Sequence, residues 1–190
     1  MAVAILNTPE FRVSYPNVFK ARKNELSGED EYSVVALFPK DANLTALKNA
    51  AAQTLIDKFG TDQTKWPKGL RNPFRDQGER EKDGKLPEGL EAGAIFINLK
   101  AKQRPGVVDQ NVNEIVEERD FYAGCYAIAS VRPYYYDKKG NKGIAFGLNN
   151  IQKRRDGDPL GSRTRATDDF KPVEGAATQA AQGAAASVFG

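Results

Sequence analysis

Aromatic rings and cations recur side by side along this chain, and together they suit one kind of chemistry. Between Phe121 and Arg155, the run FYAGCYAIASVRPYYYDKKGNKGIAFGLNNIQKRR sets Tyr126, Tyr134, Tyr136 and Phe146 among Arg132, Lys139, Lys142, Lys153 and Arg154. Earlier, Trp66 and Phe74 accompany Arg71 and Arg75, and Lys100, Lys102 and Arg104 follow at alternate positions. Bases stack on aromatic side chains at about 1–3 kcal/mol each while Lys and Arg neutralise phosphates, both with little regard to base sequence. These residues are therefore candidate contacts for a nucleic-acid strand. The same pattern also describes a plain β-hairpin with a half-buried aromatic face and a solvated basic one. Trp66 and Phe74 would equally serve to pin a loop to a core.

Catalysis finds less support. Histidine is absent, which removes the commonest general base and metal ligand and the Ser-His and Cys-His nucleophile pairs. The single Cys125 lies in an apolar run with no second thiol for a disulfide or a cysteine zinc site, and reads as a buried small hydrophobe. No P-loop, dinucleotide fingerprint or nucleophile elbow occurs. Asp76, Glu79 and Glu81 suggest a magnesium site of a nuclease, but the interspersed Arg75, Arg80 and Lys82 favour a salt-bridged, solvated loop. The expectation is a binding protein with no enzymatic activity, no cofactor and no metal.

The elements that must position these side chains follow from periodicity. Residues 10–15 (EFRVSY) alternate, with Phe11, Val13 and Tyr15 on one face, and Pro16 is expected to end that strand. Tyr32 to Phe38 is a β-branched and aromatic run closed by Pro39, giving a first antiparallel pair. Leu44, Leu47, Ala51, Leu55 and Phe59 recur at helical spacing, with Asp41 or Asn43 to cap the helix and Gly60 to stop it. From Gly60 to Leu90, Trp66-Pro67, Asn72-Pro73 and Asp83-Gly84 break regular structure and predict a long ordered loop.

Ala94 to Lys100 is the clearest mid-chain strand, with Ile95, Ile97 and Leu99 on one face and Phe96, Asn98, Lys100 and Lys102 on a wetter one. Gly106 to Asp109 suits a short strand, and Asn111 to Asp120 an acidic turn or short helix. Phe121 to Tyr136 and Lys142 to Ile151 form a hairpin through Lys139-Gly140-Asn141, with Gly143 and Gly147 marking bulges or a bend. Small residues from Ala123 to Val131 occupy one face, although Pro133 can break the alternation beyond Arg132. Five or more antiparallel strands with one inserted helix and long loops make a mainly β (α+β) chain. They suit a small OB-like barrel better than a sandwich.

At 190 residues and 40% hydrophobic, the chain can bury one core and carry a tail. Residues 166–190 are mostly Ala, Gln, Gly and Thr, so the expected organisation is a domain over 1–163 and a flexible tail over 164–190. Net charge is only +3, yet Lys138 to Arg165 hold eight cations against Asp156 and Asp158. No apolar run approaches the ~20 residues of a membrane span, and MAVAILNTPEF lacks the regions of a signal peptide. A soluble cytoplasmic protein without membrane contact is expected.

Several ordered blocks carry a family likeness. EFRVSYPNVFKA, YSVVALFPKD, NPFRDQGERE and FYAGCYAIASVRPYYYD…KGIAFGLNNIQKRRDGDPLG together resemble the bacteriophage single-stranded DNA-binding proteins of phage replication modules, over roughly residues 8–163. That resemblance implies an OB-fold, sequence-independent binding of single-stranded DNA in replication and recombination, and no catalysis. The matching positions are Asn72 to Asp76, Tyr126 to Tyr136 and Leu148 to Gln152. Similar phage binders carry an acidic tail that meets replication partners, whereas the end of this chain holds only Asp168, Asp169 and Glu174. Replication or recombination proteins contacting the tail, with Val188-Phe189 as an apolar plug, and self-association are further expectations. The competing reading is a phage structural or assembly protein whose tyrosine-rich hairpin is a protein interface, since Tyr and Arg also mark protein hot spots.

Overall fold

The computed structural model describes residues 4–161 and 169–173. Met1–Leu160 form one compact unit and Gly161–Gly190 a second, so the expected tail, Val188-Phe189 included, lies outside the described residues except for 169–173. In chain order the elements are β1 (Leu6–Asn7), β2 (Phe11–Lys23), β3 (Asp30–Leu37), α1 (Thr45–Phe59), β4 (Arg75–Asp76), β5 (Ile95–Ala101), β6 (Gly106–Val108), β7 (Tyr126–Lys138) and β8 (Asn141–Arg155).

Five of these strands close a ring. β2 pairs with β3, β3 with β5, β5 with β8, β8 with β7, and β7 returns to β2. β1, β4 and β6 extend its rims on β7, β5 and β8. Closure removes the open edges that would otherwise pair with other chains. The interior is filled by Phe11, Val13, Val34, Ala36, Ile97, Leu99, Phe146 and the small face of β7, Ala127, Ala129 and Val131. The expectation of a wholly antiparallel barrel needs correcting, because β5–β8 and β6–β8 run parallel. Strand direction at closure is set by the crossovers, which hydrophobic periodicity does not encode.

The helix sits where its spacing placed it. The Asn43 Oδ1 accepts the Thr45 N–H at 3.1 Å, and the Gly60 N–H, at φ 86°, closes the last turn on the Ile56 carbonyl. Leu47 and Ala51 are buried, and Phe59 meets Tyr135 of β7 edge-on at 5.1 Å. The hairpin turn is also as expected: Lys139 at φ 52° and Gly140 at φ 86° are the two positive-φ positions of a tight hairpin between twisted strands.

Two side assignments are reversed. β2 does not stop at Pro16; its register shifts between Ser14 and Asn17 and the strand continues to Lys23. The bulge absorbs a residue without an N–H, and it turns Tyr15, at φ 44°, out into solvent with 64% of its surface exposed. Phe96 lies on the face expected to be wet, yet it is buried, because Arg75 and Arg80 of the preceding loop cover its ring at 5.5 and 4.6 Å.

Candidate nucleic-acid interface

In OB barrels the faces of the second and third strands, with the loops joining strands one to two and four to five, form the ligand surface. Here those parts are the outer face of β3 and β5, the 24–29 loop and the β7–β8 turn. Pairing lines up one row across this face: Asn17 of β2 opposite Ser33, Ser33 opposite Lys100, Lys100 opposite Gly147, and Gly147 opposite Arg132. Inward neighbours Val34, Leu99, Phe146 and Val131 are buried, so the row faces outward.

Tyr134 stands beside this row. Its ring edge is 3.7 Å from where a Cβ on Gly147 would be, and 42% of its surface is exposed. Partial burial raises the pKa of its phenol above the ordinary value, and the neighbouring Glu31 and Tyr136 add to the shift. Tyr136, two positions along β7, follows Tyr134 on the same face and precedes the basic tip of Lys138, Lys139 and Lys142. The alternation survives Pro133, which is buried between the outward Arg132 and Tyr134. β1 leaves β7 at Val131, so beyond it the strand has a partner on one side, and a residue without an N–H is tolerated.

A second ring-and-cation cluster lies towards the start of β5. The Arg80 guanidinium bridges the exposed ring of Tyr15 at 5.9 Å and the covered ring of Phe96 at 4.6 Å. The 60–94 loop that delivers Arg80 is tied down at several points. The Arg71 N–H donates to the Lys142 carbonyl at 2.9 Å and its guanidinium to Asn141. A Cβ on Gly143 would stand 2.6 Å from the Arg71 carbonyl oxygen, so glycine is what lets the loop backbone lie against the hairpin. The Gln77 Nε2 reaches the carbonyls of Phe38 and Ile95 from a buried position, and Asp76 accepts the N–H groups of Gly78 and Gly93.

The candidate residues named from sequence thus fall into groups. Lys100, Arg132, Tyr134 and Tyr136 share the outer face, Lys139 lies in the turn at the hairpin tip, and Lys142, opposite Asp137, alternates to the other face of the hairpin. Lys102 and Arg104 continue past the end of β5, Lys102 paired with Glu29 and Arg104 over the ring of Phe19 at 5.7 Å. Arg75 is exposed but shares Glu79 with the loop. Trp66 donates its indole N–H to the Gly60 carbonyl at 2.9 Å, anchoring the loop to the end of α1.

Other candidates sit elsewhere. Phe146, expected as an open ring, is 1% exposed and packs edge-on against Phe74 at 5.7 Å in the core, because β8 directs its even positions from Ile144 to Leu148 inward. Phe74 is half-buried against that pair, with the Lys48 ammonium over its ring. Tyr126, Lys153 and Arg154 occupy the other end of the hairpin, about 26 Å of strand from Tyr134 at ~3.3 Å per residue. There the Tyr126 ring lies against the Arg155 guanidinium at 3.8 Å and near Arg12 at 5.7 Å. Lys153, its side chain 12% exposed, is bound to Asp156 and to the Asp120 carbonyl, each at 2.7 Å. Its neighbours Asp109, Glu114, Glu117, Asp120 and Asp156 line an acidic cleft that would repel phosphate.

Tyr15 and Arg80 were not among the sequence candidates. Strict alternation placed Tyr15 inside; the signal that it turns out was the following proline, which a strand tolerates at a bulge. Arg80, in sequence, belongs to a run of alternating charges that suggests only a salt-bridged loop. Two of the three carboxylates of the nuclease alternative are engaged within the loop, Asp76 by the N–H groups of Gly78 and Gly93 and Glu79 by Arg75. Among the described residues no cluster of His, Cys, Asp or Glu is arranged to hold a metal ion, and no helix is long and apolar enough to cross a membrane.

A five-stranded ring joined in this order, with one parallel closing pair, defines an OB-fold. The chain belongs to the family described as Enterobacter phage Enc34, ssDNA-binding protein, which matches residues 3–182. It is 27% identical over 169 residues to protein p50 of Acyrthosiphon pisum secondary endosymbiont phage 1, covering 84% of this chain and 88% of that protein. Among solved structures it is similar to the single-stranded DNA-binding protein from bacteriophage Enc34 in complex with ssDNA, with a TM-score of 0.62 and 24% identity, over 82% of this chain and 88% of that one. A second likeness is to gp2.5, a single-stranded DNA-binding protein encoded by bacteriophage T7, with a TM-score of 0.56 and 15% identity, over 90% and 95% of the two chains. At such identities the structural likenesses speak for the fold.

Proposed function

We propose that this protein binds single-stranded DNA without sequence preference during phage DNA replication and recombination, in the host cytoplasm. One observation carries the reading: on the outer face of a barrel of this family, Lys100, Gly147 and Arg132 line up beside the half-exposed Tyr134. Bases would stack on Tyr134, Tyr136 and Tyr15, and phosphates would follow Lys100, Arg132, Lys139 and, past the end of β5, Lys102 and Arg104. Both interactions are indifferent to base identity. The reading assigns the protein no catalysis; an oligonucleotide that survives incubation with magnesium is its check. Binding is assigned to residues 1–163, and contacts of residues 164–190 with replication or recombination proteins, together with self-association, complete the proposal.

The test is fluorescence anisotropy of labelled oligo-dT across a salt series, with duplex of equal length as competitor. Counterion release makes log K fall linearly with log salt, by about 0.7 per phosphate neutralised on a single strand. Binding that weakens in this way and resists duplex competition supports the proposal. No binding at low salt refutes it and favours a protein interface at the tyrosine hairpin, whose hydrophobic contacts would tolerate salt.

A further inference from the structure

Two lysines of the proposed DNA face, Lys100 and Lys102, have anionic partners. The Lys100 Nζ lies 2.8 Å from the Glu31 Oε1, and the Lys102 Nζ lies 3.4 Å from the Glu29 Oε2. Both carboxylates come from the start of β3 and the loop before it, the part of an OB barrel that borders its ligand surface. Glu31 is fixed from a second side, where the Asn24 Nδ2 donates to its Oε1 at 2.9 Å, and only 22% of its side chain is exposed. Its charge also acts on Tyr134, the ring on which a base would stack, and helps to raise the pKa of that phenol.

Stability does not account for this arrangement. Solvent-exposed ion pairs contribute little to folding, and the Lys102–Glu29 pair is at the surface on both sides. Burying part of Glu31 has a desolvation cost that a neutral Gln, able to accept the same Asn24 hydrogen bond, would avoid. The placement makes sense for a surface that must hold its cations in position yet release them to phosphate.

We propose that Glu29 and Glu31 are built-in phosphate mimics that occupy Lys100 and Lys102 in the free protein and set its preference for single strands. The inference rests on the DNA-binding reading above. A phosphate that approaches Lys100 or Lys102 must displace a carboxylate or share the lysine with it, so each mimic lowers affinity and removes part of the counterion release. The cost falls unequally on the two forms of DNA. A single strand can rotate its phosphates away from Glu31 while a base remains stacked on Tyr134. A duplex is stiff and carries one charge per ~1.7 Å of axis, twice the density of one of its strands, so it cannot avoid the two carboxylates.

The experiment uses the full chain, its E29Q, E31Q and double variants, and Glu31→Asp, which keeps the charge. Labelled oligo-dT and a duplex of equal length are the probes, each titrated across a salt series, with thermal melts to confirm folding. Removing one like charge at ~4 Å in water corresponds to about a five-fold gain, so each Gln variant is expected to bind oligo-dT about five-fold more tightly at low salt. Its salt slope steepens by about 0.7 per lysine released. Duplex affinity gains more than single-strand affinity, so the preference narrows, while Glu31→Asp stays near the unaltered chain. Should E31Q fail to fold, E29Q carries the test, since its carboxylate lies at the surface. Variants that bind no more tightly and keep the original slope overturn the inference, as does an equal gain on duplex and single strand. An unaltered chain that fails to bind oligo-dT overturns the functional proposal itself, and the inference with it.

Discussion

Replacing Tyr134 by Ala isolates the stacking role, because the ring is half-exposed and its loss opens no large cavity in the barrel interior. Its outward surface lies beside Lys100 and Arg132 in the cross-strand row, so a base placed on it would have a phosphate partner within the same patch. One base–ring stack is worth about 1–3 kcal/mol, which corresponds to roughly 5- to 150-fold in affinity. Tyr134→Ala should therefore weaken oligo-dT binding by a factor in that range, equally for oligo-dA and oligo-dC, with the salt slope unchanged because no cation is removed. Tyr134→Phe keeps the ring and should bind like the unaltered chain. Tyr126→Ala is the matched control: its ring is engaged by Arg155 and Arg12 at the other end of the hairpin, so it should lower the melting temperature and leave affinity intact. Fluorescence anisotropy of labelled oligonucleotides reads all three. Full affinity in Tyr134→Ala, or an equal loss in Tyr126→Ala, would refute the placement of the stacking surface.

The core assignment of Phe146 predicts that Phe146→Ala costs about 3–5 kcal/mol of stability, read by denaturant unfolding; a ring open to DNA would instead lose affinity with little change in the unfolding midpoint. A second expectation concerns acid. The Asp76 carboxyl is held below its ordinary value of 3.8, chiefly by the Gly93 N–H and then that of Gly78. A depressed folded value means that its stabilisation is complete above the unfolded value and is lost as pH falls through the folded one. Asp109 and Asp156 are shifted the same way, the first by Asn113 and the second by Lys153. Melting temperatures should therefore drop on acidification through and below about pH 4, and Asp76→Asn should show a shallower drop.

Local chemistry was readable in the sequence wherever one element decided the outcome. Leu47, Ala51 and Phe59 placed the helix because its buried side is set by its own spacing, and Lys139-Gly140 placed the hairpin because a two-residue turn demands positive φ. The small inward face of β7 was equally legible, since Ala127, Ala129 and Val131 alternate without interruption. Sidedness failed where a second segment intervened. Phe96 shares its strand face with Asn98 and Lys100, and nothing in ILE-PHE-ILE alternation announces that Arg75 and Arg80 will arrive from a distant loop to cover it. Phe146 failed because its side depends on the hairpin register, which pairs it with Pro133 on the same face as Ala127, Ala129 and Val131.

The same closure explains why the candidate site divided as it did. A list of rings and cations drawn from one hairpin assumes that the hairpin presents one surface, but a strand pair of thirteen and fifteen residues is longer than the face it helps to build. Its tip half carries Arg132, Tyr134 and Tyr136 on the face of Gly147, the residue that pairs with Lys100 of β5. Its other half carries Tyr126, Lys153 and Arg155 into ion pairs and cation–ring contacts with Glu10, Arg12, Tyr122 and Asp156. Residue types are the same in both halves; what separates them is the neighbours that the barrel gives each, since Lys153 and Arg155 meet Asp156 and Glu10 whereas Arg132 pairs with Gly147 in the row that holds Lys100. Tyr15 makes the converse point, since one bulge beside Pro16 moves a ring from the expected interior to the surface and places it under Arg80. A surface suited to a single strand is thus selected by topology from a larger population of similar side chains: the cross-strand row and the bulge decide which rings and cations share an outward face, and a carboxylate partner alone does not exclude a cation, since Lys100 and Lys102 carry one as well.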